Sequence, residues 1–581
     1  MIPIKKGAAM SKNTYEALTT EYEAELDKKN PWGDYPRPLM RRESFLSLNG
    51  KWDFSVGGDV APEEYGERIL VPFPPESRLS GICRGIGKHE MLYYRREVEI
   101  PSEMLGGRLL LHFGAVDQIA WVKVNGVDVG YHEGGYLPFT IDITEVVRCG
   151  KNEIAVRVKD ELDRDYPYGK QRRDRGGMWY TPVSGIWQSV WLEGVSENYI
   201  KKLKIKTTMS EVRITVEGGE EKKRLLIDGG ECIEFTGDTV AFKPEGCECW
   251  TPENPRLYGF TLTSGTDSVE SYFALREIGV REIGGVKRMT LNGEPYLFNG
   301  LLDQGYYPDG IYLPATSRGY EDDILRMKAL GFNTLRKHIK IEPEIFYHLC
   351  DRLGMVVFQD MVNNSGYSFI FDTVLPTVGM KRFDDRLLHR KRRSREIFIE
   401  SMMGTVEHLD SYPSILYYTV FNEGWGQFCS DENYARLKSV VPDKIVDATS
   451  GWFARHDSDV ESHHVYFKPI KLSGDATDRP IVISEFGGYS HRVEGHLFGK
   501  ENYGYSICGT REEFEDSFVK LYSGEVAEAI DRGASAFVYT QVSDVEDETN
   551  GILTYDRKIC KLNAERIRPI MESLNGKIKS N

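Results

Sequence analysis

The sequence predicts a multidomain fold: an N-terminal β jelly-roll sandwich, an immunoglobulin-like β-sandwich, and a C-terminal (β/α)8 TIM barrel. Three observations carry this reading. From Pro36 to Glu193, short alternating segments are broken by Gly, Pro and Asn, and Asn125-Gly126 between Val124 and Val127 is a two-residue hairpin turn. Residues 196–283 repeat that all-β texture on a smaller scale. After Gly284 the rhythm alternates strand and helix, with eight apolar strands in about 300 residues.

A chain of 581 residues is too long for one core, so several domains are expected. Residues 1–35 read as a leader whose polar stretch forms a short helix or a loose segment. Residues 36–195 read as the jelly roll, with strands at Gly50 to Val56, Leu92 to Ile100, Arg108 to Phe113, Ala120 to Val124 and Asn152 to Val158. Residues 196–283 are short for a sandwich, so some strands are expected to be missing. Residues 284–581 read as the barrel. Its expected strands are Pro295 to Gly300, Thr334 to Arg336, Met355 to Phe358, Ile415 to Phe421, Lys444 to Asp447, His464 to Phe467, Ile481 to Ser484 and Ala534 to Tyr539.

The formal net charge of −15 argues against nucleic acid or an anionic membrane surface as partner, since both require basic surface. No apolar run approaches the roughly 18 residues of a spanning helix. No long apolar segment follows the N-terminal lysines, so a cytoplasmic protein is expected. The nine scattered cysteines read as reduced thiols, and Cys247-Glu-Cys249 lacks the second pair of a zinc site. No metal and no other cofactor is expected.

The chemistry concentrates in Ile415-Leu-Tyr-Tyr-Thr-Val-Phe-Asn-Glu-Gly-Trp-Gly426, an apolar run buried on both faces of a parallel sheet that ends in Asn422 and Glu423. Pro480-Ile-Val-Ile-Ser-Glu485 is a second apolar strand tipped by a glutamate. Acids at the carboxyl ends of barrel strands stand where such folds place their chemistry, so Glu423 and Glu485 read as a catalytic carboxylate pair.

The motifs together resemble glycoside hydrolase family 2, which contains β-galactosidases, β-glucuronidases and β-mannosidases. In the first domain the resemblance rests on Val71-Pro-Phe-Pro-Pro-Glu-Ser77, His112 to Gly126, Gly134 to Thr144, and Trp179-Tyr-Thr-Pro-Val-Ser-Gly-Ile-Trp-Gln188. It continues through Trp250-Thr-Pro-Glu-Asn-Pro-Arg-Leu-Tyr258 and, in the barrel, Asn299-Gly300, Gly331-Phe-Asn-Thr-Leu-Arg336, Val420-Phe-Asn-Glu423 and Ser484-Glu-Phe-Gly-Gly488. It implies a retaining exo-β-glycosidase with Glu423 as acid/base and Glu485 as nucleophile, their carboxyls roughly 5–5.5 Å apart. It further implies that Asn422 bonds the sugar 2-hydroxyl and that Tyr466 contacts the nucleophile. Trp425 and Tyr539 are candidate apolar walls for a pyranose.

Specificity is expected where the chain departs from that pattern. Asp303, in Leu302-Asp-Gln-Gly-Tyr-Tyr-Pro-Asp309, is the candidate for the sugar's distal hydroxyls. Arg336-Lys-His338 replaces the family's Arg-x-Ser-His, displacing His338 by one position, and Gln359-Asp360 resembles the strand end of β-mannosidase-like members. An Asn-x-Lys, the kind of motif that reads a glucuronate, occurs in the tail at Asn575-Gly-Lys577 and not in the barrel strands, which leaves Arg336 and Lys337 as cations for a uronate. Gln541, Asp544, Glu546 and Asn550 are rim candidates. A small β-galactoside is the first substrate expected, with a glucuronide, mannoside or arabinoside as alternatives. An inactive carbohydrate-binding protein is the reading of another class, and retention of both glutamates argues against it. A dimer or tetramer is the assembly that the resemblance implies.

Overall fold

The computed structural model describes residues 18–375, 384–472 and 478–580. The jelly roll packs two antiparallel sheets. The larger runs, in spatial order, Glu67–Val71, Gly50–Gly57, Met91–Ile100, Gly150–Lys159, Ile119–Val124 and Val127–Glu133. The smaller runs Phe45–Ser47, Val190–Val195, Arg108–Phe113 and Phe139–Asp142. The hairpin expected at Asn125-Gly126 is there, with φ of 51° and 81°, the left-handed pair that joins strands without splaying them. Inward positions such as Trp52, Phe54, Tyr94, Leu111, Val122 and Val156 fill the core.

The second sandwich holds seven strands, in sheets of three and four, so the expectation of missing strands is corrected. Its strands are short, and alternate burial along Val212–Gly218 and Lys222–Ile227 lets four to eight residues suffice for each. The Gly284-Gly285 junction is the turn of a hairpin, Ile278–Ile283 with Val286–Leu291. Met289 and Leu291 of this hairpin join the barrel's inner core with Phe298, Phe358 and Val538, closing its amino-terminal end.

The barrel strands are β1 (Phe298–Asp303), β2 (Thr334–Lys337), β3 (Val356–Asp360), β4 (Ile415–Asn422), β5 (Ile445–Ser450), β6 (Glu461–Val465), β7 (Ile481–Gly487) and β8 (Ala534–Thr540). They pair in parallel in the order β5-β4-β3-β2-β1-β8-β7-β6. All eight expected strands are present, within a few residues of their expected ends. Between β7 and β8 the chain is helical over Arg511–Lys520 and Ala527–Asp531, with a π-type turn, Leu521–Val526, between the two. No helix among the described residues is long and apolar enough to cross a membrane.

Two features position the site. Residues 18–35 are not loose: Thr20 donates its backbone N–H to Asp309, and Trp32 Nε1 donates to the Pro314 carbonyl at 3.1 Å. Residues 1–17 of the expected leader lie outside the described residues. The long segment between Gly150–Lys159 and Gly185–Ile186 leaves the jelly roll and lies on the barrel mouth. There Tyr168 N–H donates to Asn363 O at 3.1 Å and Thr181 N–H to Glu546 Oε1 at 2.8 Å.

The junction of leader, jelly roll and second sandwich is held by Glu193, whose side chain is fully buried. It accepts from Arg37 Nη2 at 2.5 Å, Arg42 Nη1 at 3.1 Å, Tyr35 Oη at 2.6 Å and Trp191 Nε1 at 2.8 Å, while Arg42 also pairs with Asp267 at 2.9 Å. Burial raises the Glu193 carboxyl, but Arg37, His112 and Arg42 outweigh it and hold the group far below its ordinary 4.5. Glu193→Gln removes the anion and leaves buried guanidinium charge uncompensated, so unfolding stability at pH 7 is expected to fall by about 3–5 kcal/mol. A depressed carboxyl stabilises above its unfolded pKa and loses that contribution as pH falls. The gap between wild type and variant in urea midpoint therefore narrows below pH 4.5. A gap independent of pH would refute the charge account.

Candidate active site

Both glutamates emerge at the carboxyl ends of barrel strands, where backbone irregularity aims them. β4 is buried along its whole length, and the chain then turns at Glu423 with φ of 53°, a left-handed conformation uncommon outside glycine, before Gly424 at 75°. Glu423 N–H donates to the Ser450 carbonyl at 2.9 Å, pinning the turn to the end of β5. Strain of this kind gathers at functional sites. On the other side, the β6–β7 register slips between His463 and His464, and the β7–β8 register between Ile483 and Phe486. Such bulges redirect the side chains that follow, here His464 and Glu485.

Arg336, at the tip of β2, is the hub. Its side chain is 1% exposed. Nε donates to Asp360 Oδ1 at 2.9 Å, Nη2 to Asn422 Oδ1 at 2.9 Å, and Nη1 to both Glu485 Oε1 and the Ser484 carbonyl at 3.0 Å. One guanidinium thus ties β2 to β3, β4 and β7. Asp360 also lies 2.8 Å from His338 Nδ1. Tyr466 Oη donates to Glu485 Oε2 at 2.8 Å, and its ring stacks on Tyr505 with centroids 3.9 Å apart. Burial pushes the Glu485 carboxyl up, but the charges of His464 and Arg336 outweigh that and hold it below its ordinary 4.5.

His464 was not expected, and it bridges the pair. Nδ1 lies 2.8 Å from Glu423 Oε1 and 3.4 Å from Glu485 Oε2, and Nε2 lies 2.8 Å from Ser450 Oγ. Glu423, His464 and Glu485 each present one atom within 4.8 Å of the others. Three such atoms have the chemistry to hold a cation, but Arg336 already supplies positive charge to Glu485 at 3.0 Å and would oppose a metal ion. One signal in the sequence pointed to His464: it lies two residues before Tyr466, on the same face of an extended segment.

The other expected residues divide. Asn422, Arg336, His338, Asp360 and Tyr466 meet around Glu485. Asp303 does not offer free oxygens: Oδ2 accepts from Lys337 Nζ at 2.6 Å and Oδ1 from Gly305 N–H at 2.9 Å. Lys337 also pairs with Glu342 at 2.8 Å, so neither Lys337 nor Arg336 is left for a uronate. Tyr539 is turned the wrong way for a wall. Ala536 and Val538 face the barrel interior, so the alternate residues Phe537 and Tyr539 face the helices, and Tyr539 packs on Phe518 at 5.0 Å. Trp425 is buried in an aromatic cluster with Trp179 at 4.9 Å and Tyr168 at 5.4 Å, both from the jelly roll. The rim candidates are committed to the protein: Gln541 donates to Asn550 at 2.7 Å, Asp544 pairs with Lys561 at 2.6 Å, and Glu546 pairs with Arg175 at 3.2 Å. Lys577, on the last helix (Ala564–Ser580), pairs with Asp531 at 2.7 Å.

Two β-sandwiches leading into a parallel barrel, with two acids held at its carboxyl end, define a class of multidomain barrel protein with a paired-carboxylate site. Residues 87–194 match the family model described as "Glycosyl hydrolases family 2, sugar binding domain". A β-galactosidase of Thermoanaerobacter pseudethanolicus is 27% identical over 333 residues, 53% of this chain and 44% of that protein. One from Pseudoalteromonas haloplanktis is 24% identical over 601 residues, 88% of this chain and 53% of that protein. Among solved structures, a β-glucuronidase of an uncultured Clostridium species has this fold, with a TM-score of 0.72 at 18% identity over 92% of this chain and 99% of that one. Together these likenesses support glycoside hydrolase family 2 as the family this chain resembles. The chain spans about half the length of these curated relatives.

Replacing Arg336 by Met takes from the buried carboxylates of Asp360 and Glu485 the guanidinium they share. The expected cost is about 3–5 kcal/mol at pH 7. Loss of the cation raises both carboxyl pKa values, so protonation relieves part of the cost and the loss in denaturant midpoint is smaller at pH 5. An equal loss at both pH values would count against the charge argument.

Proposed function

We propose that the chain is a retaining exo-β-glycosidase that removes a terminal sugar by a two-glutamate double displacement. The observation that carries this reading is the pair of carboxylate oxygens within 4.8 Å across His464. Retaining enzymes hold their carboxyls roughly 5–5.5 Å apart, whereas inverting enzymes need roughly 6.5–9.5 Å to admit a water.

The two environments support distinct roles. Glu485 accepts from Arg336 and Tyr466 and is held ionised, as a nucleophile requires. Glu423 has fewer fixed donors and a side chain 16% exposed, so it reaches the aglycone side, where a proton must be delivered. In the first step Glu423 protonates the leaving oxygen as a Glu485 oxygen bonds to the anomeric carbon and the glycosidic bond breaks. In the second, water attacks that carbon, gives its proton to Glu423, and the bond to Glu485 breaks. His464, against both carboxylates, positions Glu423 between these proton transfers. Asn422, oriented by Arg336, is placed for a sugar hydroxyl. The role expected of Asp303, binding the sugar's distal hydroxyls, loses its support, because that carboxylate is paired with Lys337.

A nitrophenyl β-glycoside panel tests the reading. The wild type is expected to turn over at least one glycoside, with the β-anomer as first product by NMR. Glu423→Gln and Glu485→Gln are each expected to lose activity by about 100-fold or more. An α-anomer as first product, or unchanged activity in Glu485→Gln, would sink it.

The acid limb of kcat/KM is expected below pH 4.5, because a nucleophile held down in pKa stays ionised until pH falls through that value. Tyr466→Phe removes the phenol donor to Glu485 and is expected to move this limb upward. A limb that stays in place refutes the role given to Tyr466.

A further inference from the structure

Three cations at or just after the end of β2 are spent on the barrel's own acids. Arg336 pairs with Asp360 and Glu485, Lys337 with Asp303 and Glu342, and Lys340 with Glu342. From the jelly-roll segment, Arg175 pairs with Glu546 and Asp547, and Arg172 with Asp174. Lys170 differs. It is half-buried, and among the described residues its ammonium has no carboxylate partner, only the Trp179 ring with its centroid 5.9 Å away.

Its backbone is anchored at the mouth. The Lys170 carbonyl accepts from Tyr180 N–H at 3.0 Å. Gly169 abuts Ile339, the residue after His338, so closely that a Cβ there would lie 3.0 Å from the Ile339 carbonyl. Trp179 packs on Trp425, two residues beyond Glu423. The Lys170 charge reaches the site: it helps to hold down the Glu485 carboxyl and the His338 imidazole, and it offsets part of the rise that burial gives Glu548.

We propose that Lys170 is the specificity-determining cation of this site and pairs with a carboxylate on the sugar, making the preferred substrate a β-linked hexuronic acid. The inference rests on the glycosidase reading above and adds the sugar class. A uronate entering beside Glu423 and Glu485 meets two carboxyl groups and requires a counter-charge. A half-buried ammonium supplies one in a charge-assisted hydrogen bond. A neutral hexose leaves that ammonium unpaired after water is displaced, which is how a site built for one polar group rejects an analogue lacking it.

The test uses the full chain with nitrophenyl β-galacturonide, β-glucuronide and β-galactoside. The wild type is expected to favour one of the uronides. In Lys170→Met the ratio of uronide to galactoside kcat/KM is expected to fall about 30-fold or more, mainly through KM, with Lys170→Arg recovering part of it. Calorimetric binding of free galacturonate and glucuronate decides the matter independently of turnover: the wild type binds one of them and Lys170→Met does not. Preference for the galactoside, or an unchanged ratio in Lys170→Met, overturns the proposal. Absence of turnover on every glycoside defeats the glycosidase reading alone, and uronate binding that is equal in wild type and variant defeats the role of Lys170 alone.

Discussion

A single buried guanidinium sets the geometry of this barrel mouth. Arg336 has almost no contact with water, and isolated in that position its charge would cost several kcal/mol in desolvation. It is tolerated because each face of the fork meets an acceptor on a different strand: Asp360 on β3, Asn422 on β4, and Glu485 with the Ser484 carbonyl on β7. The planar fork fixes angles as well as distances, which a lysine ammonium would not. The strand ends therefore cannot drift apart without exposing an unpaired charge, and the carboxylate of Glu485 is oriented before any ligand arrives.

The same logic extends outward to the jelly roll. Tyr180 Oη donates to Glu548, Thr181 N–H to Glu546, and Arg175 to Glu546 and Asp547, so the segment after β8 is finished by donors from another domain. Burial raises the carboxyls of Glu546 and Glu548, and these donors partly offset the cost. Loops that carry function need a rigid scaffold, and here two domains share the work of holding one rim. The match to a sugar-binding domain over residues 87–194 thus covers the segment that lies on the mouth.

Much of this was legible in the sequence, for physical reasons that also mark the limit. Strands buried on both faces must be apolar throughout, so Ile415–Asn422 and Ile481–Gly487 stood out, and with them the acids at their tips. Tyr466 and Arg336 followed from motif resemblance. His464 did not: alternation puts it on the same face as Tyr466, but its place between the glutamates depends on register slips that the sequence does not reveal. Tyr539 was misplaced for a related reason: an aromatic at a strand end has two faces to choose from, and alternation from Ala536 and Val538 sends it to the helices. Asp303 failed as a ligand candidate because its partner, Lys337, lies on the neighbouring strand, a pairing visible only once β1 and β2 are in register. Lys170 carried no sequence signal, since nothing in residues 160–184 says which domain they rest upon.

The asymmetry between the two glutamates bears most on mechanism. Two carboxylates this close repel, and a symmetrical pair would share one proton rather than divide two tasks. The fold breaks the symmetry with fixed charge on one side. Glu485 is met by Arg336 at one oxygen and Tyr466 at the other, while the side chain of Glu423 meets His464 and faces partly outward. A proton added to the pair is therefore least favoured on Glu485. On the proposed reading the first step needs that carboxylate free to attack. Reversing the roles would require protonating the carboxylate that an arginine already neutralises.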